Sequence, residues 1–109
     1  MLIIAREDVV AALLGLMAEL EGWQPRFPQK DGSLADAIGR EPMDVVLIDC
    51  EHPQYDGDLI EVARSSGAVP ILFGPIRMKV ELSEDAARNG TRWFTLPTDS
   101  DSFGRMLGT

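Results

Sequence analysis

The segment Asp44-Val45-Val46-Leu47-Ile48-Asp49 constrains the fold of this chain more than any other feature. Its four consecutive apolar residues leave no polar face, which is typical of a parallel strand that is buried on both sides. The strand ends in a carboxylate, and the loop Cys50-Glu51-His52-Pro53-Gln54-Tyr55-Asp56-Gly57 follows it. In open parallel sheets, ligands bind in the crevice outside the carboxyl ends of the strands. Asp49 is therefore the first candidate site residue.

Short apolar runs alternate with stretches of helical periodicity along the rest of the chain. The other predicted strands are Leu2–Ala5, Trp23–Phe27, Ala68–Phe73 and Arg92–Leu96. Predicted helices lie around Val10–Leu20, Leu34–Ile38, Leu59–Ala63, Ser83–Arg88 and Asp99–Leu107. Strands that alternate with helices indicate a parallel sheet with right-handed crossovers. We therefore expect one α/β domain with a five-stranded parallel sheet in the flavodoxin-like order 2-1-3-4-5 and with short second, fourth and fifth helices.

Local signals refine these boundaries. In the first helix Val10, Leu13, Leu14, Met17 and Leu20 are predicted to form the buried face, and Gly22 its stop. Pro25 makes the second strand a short or edge strand, because proline cannot donate to a ladder. Asp31-Gly32 is a predicted turn. The stretch from Gly74 to Leu82 has no clear periodicity, so the fourth helix is predicted to begin at Ser83.

Composition limits the classes of function. The chain has 109 residues and a net charge of −8, with 18 acidic and 10 basic residues. Direct binding of nucleic acid is disfavoured, because that needs a basic face. No window holds about 18 consecutive apolar residues, so no membrane span is predicted. With one cysteine and one histidine, neither an internal disulfide nor a structural zinc site is expected, and a cytoplasmic protein is the natural interpretation.

The segment from Asp49 to Gly57 resembles the phospho-acceptor strand and loop of the response-regulator receiver domain. Asp49 closes a Val-Val-Leu-Ile strand, Pro53 follows it by four residues and Gly57 by eight, and Pro97 ends the last predicted strand as in the family. The resemblance covers nearly the whole chain. It implies that Asp49 is the acceptor position, that two acids after the first strand help hold Mg²⁺, and that a Ser/Thr and a Lys contact the phosphoryl group.

The supporting positions depart from that pattern. The acid pair is replaced by Ala5 and Arg6, the hydroxyl position falls on Gly74 or Pro75, and the lysine position is Leu96. Phosphoryl transfer to a carboxylate needs positive charge to offset the charge on the equatorial oxygens. Three of the four supporting functions therefore look lost, while Asp49 remains.

Arg6 suggests what replaces the metal. We hypothesise an internal salt bridge between Arg6 and Asp49, because arginine suits partly buried and bidentate pairs. In the alternative, Arg6 points to solvent and Asp49 pairs with backbone amides. A displaced first strand would instead make Glu7 and Asp8 the acid pair, with Lys79 reaching in.

Three further residues have both a chemical and a structural interpretation. His52 has no partnered nucleophile in the sequence and is predicted to be a solvent-facing loop residue. Cys50 is predicted to be a small buried hydrophobe. Trp93 lies where receivers often carry a switch aromatic, but packing is favoured, with Trp93 and Phe94 on opposite sides of their strand.

These observations lead to an atypical, pseudo-receiver signalling module that is not an enzyme, acts through protein contacts without phosphorylation and holds no cofactor. The candidate binding residues are Arg6, Glu7, Asp49, Glu51, Trp93 and Leu96. Expected partners are a regulatory protein or kinase, or a second copy bound through the face formed by Leu82, Trp93, Phe103, Met106 and Leu107. Two alternatives stay open: a single-domain response regulator phosphorylated on Asp49 with Mg²⁺, and a small α/β enzyme that uses Asp49 and His52.

Overall fold

The computed structural model describes residues 1–29, 32–40 and 42–108. Asp31, which the sequence places in a turn, lies outside these ranges. The strands are β1 (Leu2–Ile4), β2 (Val45–Asp49), β3 (Val69–Pro75) and β4 (Arg92–Leu96). The helices are α1 (Asp8–Leu20), α2 (Leu34–Arg40), α3 (Gly57–Ser65), α4 (Lys79–Asn89) and α5 (Ser100–Gly108), with a 3₁₀ turn at Ile76–Met78.

The strands form a parallel sheet in the order β1-β2-β3-β4. The predicted α/β class and parallel pairing are confirmed, but the prediction of five strands in the order 2-1-3-4-5 is wrong. The predicted second strand is reduced to a single bridge between Arg26 and Leu2. Arg26 N–H donates to Met1 O over 2.7 Å, and Ile3 N–H donates to Arg26 O over 2.9 Å. The next donor on that side would be residue 28, a proline, so the ladder cannot continue.

Helices cover both faces of the sheet. On one face α2, α3 and α4 pack over Val46, Ile48 and Leu72. On the other, α1 and α5 pack over Val45 and Leu47. All five residues of β2 are buried, and its side chains alternate between the two cores. This double burial explains the unbroken apolar run from which the strand was predicted.

Helix α4 differs from its prediction. It begins at Lys79 rather than Ser83 and has 11 residues, so it is not short. Ser83 does not cap it: the Ser83 hydroxyl donates to Val80 O over 2.9 Å, within the helix. Leu82 and Ala86 are buried one turn apart, which fixes the helix on the sheet. Gly90, with a φ of 66°, ends the helix in the left-handed conformation, which glycine adopts without strain.

Helix α1 has two apolar faces. Leu14, Met17 and Ala18 are buried on the sheet. Leu13 and Leu20, which the sequence placed on the same buried face, are 53% and 72% exposed. Adjacent helical residues point about 100° apart, so Leu13 and Leu14 cannot both face the sheet. Val9, Leu13, Leu16 and Leu20 instead form an outward row, called here the α1 stripe.

The surface predicted for partner contact is not an exposed apolar patch. Leu82, Phe103 and Leu107 are buried in the two cores, and Trp93 and Met106 are half-buried. Phe103 packs edge-on against Phe94 with ring centroids 5.7 Å apart. Helix α5 has only nine residues, but Phe103 and Leu107 are nevertheless buried against the core. None of the helices in the described residues is long and apolar enough to cross a membrane.

Candidate functional site

Asp49 ends the central strand β2 and is 7% exposed. Its carboxylate is held by backbone amides from two sides. Arg6 N–H donates to Oδ2 over 2.9 Å, and Glu51 N–H donates to Oδ1 over 2.8 Å. The parallel register pairs Ile4 with Ile48, which brings the chain leaving β1 alongside the end of β2. The carboxylate thus ties the exit of β1 to the loop after β2, and each oxygen satisfies one amide.

The Arg6 guanidinium does not pair with Asp49. It faces Glu51, with Nη1 to Oε2 at 3.9 Å, and the Arg6 side chain is 52% exposed. The same Glu51 oxygen accepts from Arg77 over 2.5 Å. The predicted Arg6–Asp49 salt bridge is therefore wrong, and the alternative with backbone amides is the one observed. The orientation of the backbone at Arg6 is the physical reason. Its amide points to Asp49, and its side chain points to Glu51 in the loop after β2.

Glu51 is the centre of a small charge cluster with Arg6 and Arg77. Arg77 lies in the 3₁₀ turn before α4, so the cluster joins the loops after β1, β2 and β3. Both guanidiniums are largely exposed, at 52% and 68%. Surface pairs of this kind contribute about 0–1 kcal/mol each, so the cluster positions loops more than it stabilises the fold. The contact from Arg77 was missed, because a residue in an aperiodic segment gives no local signal of its partner.

The positions for the hydroxyl and the ammonium lie at the same end of the sheet. Gly74 pairs with Thr95, and Pro75 pairs with Leu96. Neither Gly74 nor Pro75 carries a hydroxyl, and Leu96 packs against the core on the α1 and α5 side. The Leu96–Pro97 peptide bond is cis. Asp49 pairs with Phe73, so Gly74 and Pro75 follow directly on the neighbouring strand, and none of Gly74, Pro75 and Leu96 has a cationic side chain.

Cys50 fills the space beside Gly74. A Cβ built on Gly74 would lie 2.5 Å from Cys50 Sγ, so the thiol occupies the room that a side chain at this position would need. Burial, followed by the charge of Asp49, raises the pKa of the Cys50 thiol to about 11. At neutral pH the thiol is protonated and a poor nucleophile. Cys50 packs against the core as predicted, but it is half-buried rather than buried.

Two aromatic or imidazole side chains shape the loop after β2. His52 is half-buried rather than fully solvent-facing, and its Nδ1 accepts from Gln54 N–H over 3.0 Å. The Tyr55 hydroxyl donates to Asp85 of α4 over 3.3 Å. Burial and the neighbouring Asp85 raise the pKa of Tyr55 to about 12. Tyr55 links this loop to α4, a role that no sequence spacing indicated.

The remaining predicted residues lie outside the hydrogen bonds that hold Asp49. Glu7 is the exposed residue before α1 and makes no side-chain capping bond. Trp93 is half-buried on the side of α2, α3 and α4, whereas Phe94 is buried on the other side, which confirms the predicted alternation. Lys79 begins α4.

A cleft of about 640 Å³ opens beside the exit of β1, where the second strand is missing. Its described lining includes Arg6, His52, Gln54 and Phe27, but not Asp49. The enzyme alternative required a pocket that holds both Asp49 and His52. In residues 1–29, 32–40 and 42–108 there is also no group of three His, Cys, Asp or Glu side chains placed to hold a metal ion.

Comparison with solved structures identifies the fold on which this site is built. No family model matches the sequence, and no curated protein matches it. A response regulator from Thermotoga maritima superposes with a TM-score of 0.78 at 14% identity, over 97% of this chain and 91% of that one. The receiver domain of a sensor histidine kinase from Pseudomonas aeruginosa PAO1, with magnesium coordinated in its active site cleft, gives 0.77 at 18% identity over 97% and 91%.

A third structure is a dimer. The beryllofluoride-activated NtrC4 receiver domain dimer gives a TM-score of 0.74 at 21% identity, over 94% of this chain and 87% of that one. The chain therefore has the response-regulator receiver fold, as the sequence resemblance predicted. At these identities the likeness establishes the fold and leaves the chemistry to the residues of the site.

Proposed function

We propose that this chain is a receiver-like signalling module of two-component type that acts through contacts with a regulatory protein or kinase, without accepting phosphate on Asp49. The observation that supports this most is the state of the Asp49 carboxylate. It is buried, and each oxygen accepts a backbone amide. A group held in this way serves as an internal connector between two loops.

The charges around Asp49 support the same proposal. An acyl phosphate at this position would need cations and donors for the equatorial oxygens. The hydroxyl position offers Gly74 or Pro75 and the ammonium position offers Leu96. Two cations near the site, Arg6 and Arg77, are directed to Glu51.

The residues present do not fit the Mg²⁺ ion that the fold family implies. Mg²⁺ takes octahedral oxygen ligands from carboxylates and water. The positions that would supply two acids are Ala5 and Arg6, and a guanidinium beside the site adds positive charge instead of a ligand.

Most of the proposed contact residues belong to the carboxyl end of the sheet, whereas Trp93 lies near the beginning of β4. Arg6, Glu7 and Glu51 lie on the loops after β1 and β2, and Trp93 and Leu96 lie on β4. The charged members are available to solvent to different degrees, with Glu51 the least exposed at 21%.

The test is phosphorylation in vitro with a matched gain-of-function variant. The purified chain is incubated with acetyl phosphate and Mg²⁺, and its intact mass is measured. We expect no Asp49-dependent adduct. As the positive control, Arg6→Asp, Pro75→Thr and Leu96→Lys are combined to return an acid, a hydroxyl and an ammonium to the site, with Asp49→Asn in the same background as its negative control.

The two outcomes separate the alternatives. If the unmodified chain gains phosphate that Asp49→Asn abolishes, the proposal fails and the working response regulator is the correct function. If the restored variant alone gains phosphate, the losses at these positions account for the inactivity.

A further inference from the structure

The exposed side of α1 is apolar, which is unusual for a helix on the surface of an acidic protein. The four residues of the α1 stripe are 72% (Val9), 53% (Leu13), 56% (Leu16) and 72% (Leu20) exposed. Residues 9 to 18 of the chain carry no charge at all. A surface helix usually places polar residues opposite its buried face, and a helix that is apolar all round is normally covered. The stripe therefore indicates a surface that is covered by something else.

The geometry of the stripe suits another helix. Its members are spaced by four, three and four residues, which keeps them within an arc of about 60° on the helix surface. This is the spacing of alternating a and d positions, whose side chains insert between those of a facing helix. The stripe runs for about 16 Å along α1, so a partner helix of three turns would cover it.

The spacing is also symmetric, and this points to the occupant. Read from either end, the sequence of steps is four, three, four. Around a two-fold axis between Leu13 and Leu16, an antiparallel copy would place Val9 against its Leu20 and Leu13 against its Leu16. Such an isologous contact repeats each pair twice, which is the commonest symmetry of homo-oligomers. Antiparallel helices also set the positive end of one macrodipole beside the negative end of the other.

The placement of charge favours a second copy over a basic helix. The charged residues of α1 are Asp8 in its first turn and Glu19 in its last, so acids do not flank the length of the stripe. A basic partner helix would find attraction only at the ends. In the antiparallel pair, Asp8 comes near Glu21 of the second copy. That repulsion between exposed groups is weak and screened by salt.

We propose that the α1 stripe is a dimer interface, in which α1 packs antiparallel against α1 of a second copy of this chain. The four side chains expose an apolar area on the order of 400 Å² per copy, which is below the roughly 800 Å² per partner of a standard stable interface. The dimer is therefore reversible and depends on concentration. It would supply a contact surface for the proposed signalling module, and it holds or fails independently of whether Asp49 accepts phosphate.

The experiment uses sedimentation equilibrium of the full chain, from micromolar to about millimolar concentration. We expect a monomer–dimer equilibrium that added NaCl strengthens. Leu13→Lys and Leu16→Glu should each raise the dimer Kd by about tenfold or more, because each buries a charge opposite leucine. Val80→Lys, at a position that is 65% exposed outside the stripe, is the matched control and should leave the Kd unchanged.

Mixing the two stripe variants tests the direction of packing. In the antiparallel pair, lysine at position 13 of one chain faces glutamate at position 16 of the other. The mixture should therefore form a heterodimer at concentrations at which each variant alone stays monomeric. A parallel pair would not bring these positions together. Circular dichroism verifies that each variant is folded, and Leu13→Gln provides a second disruption without charge.

Three results would overturn the proposal. One is a wild-type chain that stays monomeric throughout, including the case in which a basic helical peptide binds α1 instead. Another is a dimer that Leu13→Lys and Leu13→Gln leave intact. The third is a mixture of the two stripe variants that shows no heterodimer.

Discussion

Replacing Asp49 by alanine should destabilise the fold, and the sign of this effect tests the structural role of the carboxylate. Asp49→Ala leaves the amides of Arg6 and Glu51 without their acceptor. Hydrogen bonds to a charged group contribute about 1.5–3 kcal/mol each, and a buried donor left unpaired costs about 1–3 kcal/mol. Removing a buried charge returns part of this, because the carboxylate is no longer desolvated. We expect a net loss of about 2–3 kcal/mol in the free energy of unfolding.

Asp49→Asn should lower the free energy of unfolding by less than Asp49→Ala does. The asparagine oxygen can still accept one of the two amides, but its amide group faces the other with a donor. The expected loss is about 1–2 kcal/mol. For a chain of this length, 1 kcal/mol corresponds to about 4 °C in Tm, so Asp49→Ala should lower Tm by about 8–12 °C.

The assay is urea unfolding at neutral pH, followed by circular dichroism and by the fluorescence of Trp23 and Trp93. Glu84→Ala, at an exposed position in α4, is the control and should change stability by no more than about 0.5 kcal/mol. A carboxylate kept for chemistry at a cost in stability would show the opposite result, because its removal would stabilise the protein. If Asp49→Ala is as stable as the wild type, or more stable, the reasoning is refuted.

Three further predictions use the same unfolding assay. Gly74→Ser should lower the free energy of unfolding by about 1–3 kcal/mol, because its Cβ would lie 2.5 Å from Cys50 Sγ. Adding Cys50→Ala should recover most of this loss in a double-mutant cycle. Additive losses would contradict the clash. Arg6→Ala and Arg77→Ala should each change stability by less than about 1 kcal/mol, since both side chains are more than half exposed and both pair with Glu51. A larger loss from Arg6→Ala would restore the pairing with Asp49. Stability should fall from about pH 9 towards pH 12, because the pKa of Cys50 rises from 9.0 to about 11 and that of Tyr55 from 10.0 to about 12 on folding, so that the unfolded chain loses these protons first. Cys50→Ala should remove the lower part of this decline and Tyr55→Phe the upper part, and a decline unchanged in both variants would show that other groups cause it.

The sheet and the position of Asp49 were open to prediction because their signals are local. The apolar run of β2 shows in its own residues that both faces are covered, and the next polar residue marks the end of the strand. The sequence predicted the reduction of the second strand only in part. Pro25 indicated an edge, but the ladder stops because Pro28 is the residue whose amide would make the next bond.

The contacts of the site were not predictable in the same way. The prediction that Arg6 contacts Asp49 was correct, but the contact is made by the Arg6 amide. The guanidinium pairs with Glu51 instead. Which of two groups on one residue faces a neighbour depends on the direction in which the chain leaves the strand. Arg77 and Tyr55 were missed because their partners, Glu51 and Asp85, are 26 and 30 residues away along the chain.

Residue type and short-range periodicity were enough to predict the alternation of strands and helices and the burial of β2. They also show directly that Gly74, Pro75 and Leu96 carry neither a hydroxyl nor a cation. Contacts between distant segments, in contrast, were needed to see that amides hold Asp49, that the fourth helix begins at Lys79 and that α1 exposes one of its two apolar faces. Periodicity shows that a helix has apolar residues on a given side, but burial depends on which side the sheet and the neighbouring helices cover. That choice is made by packing between segments far apart in the chain.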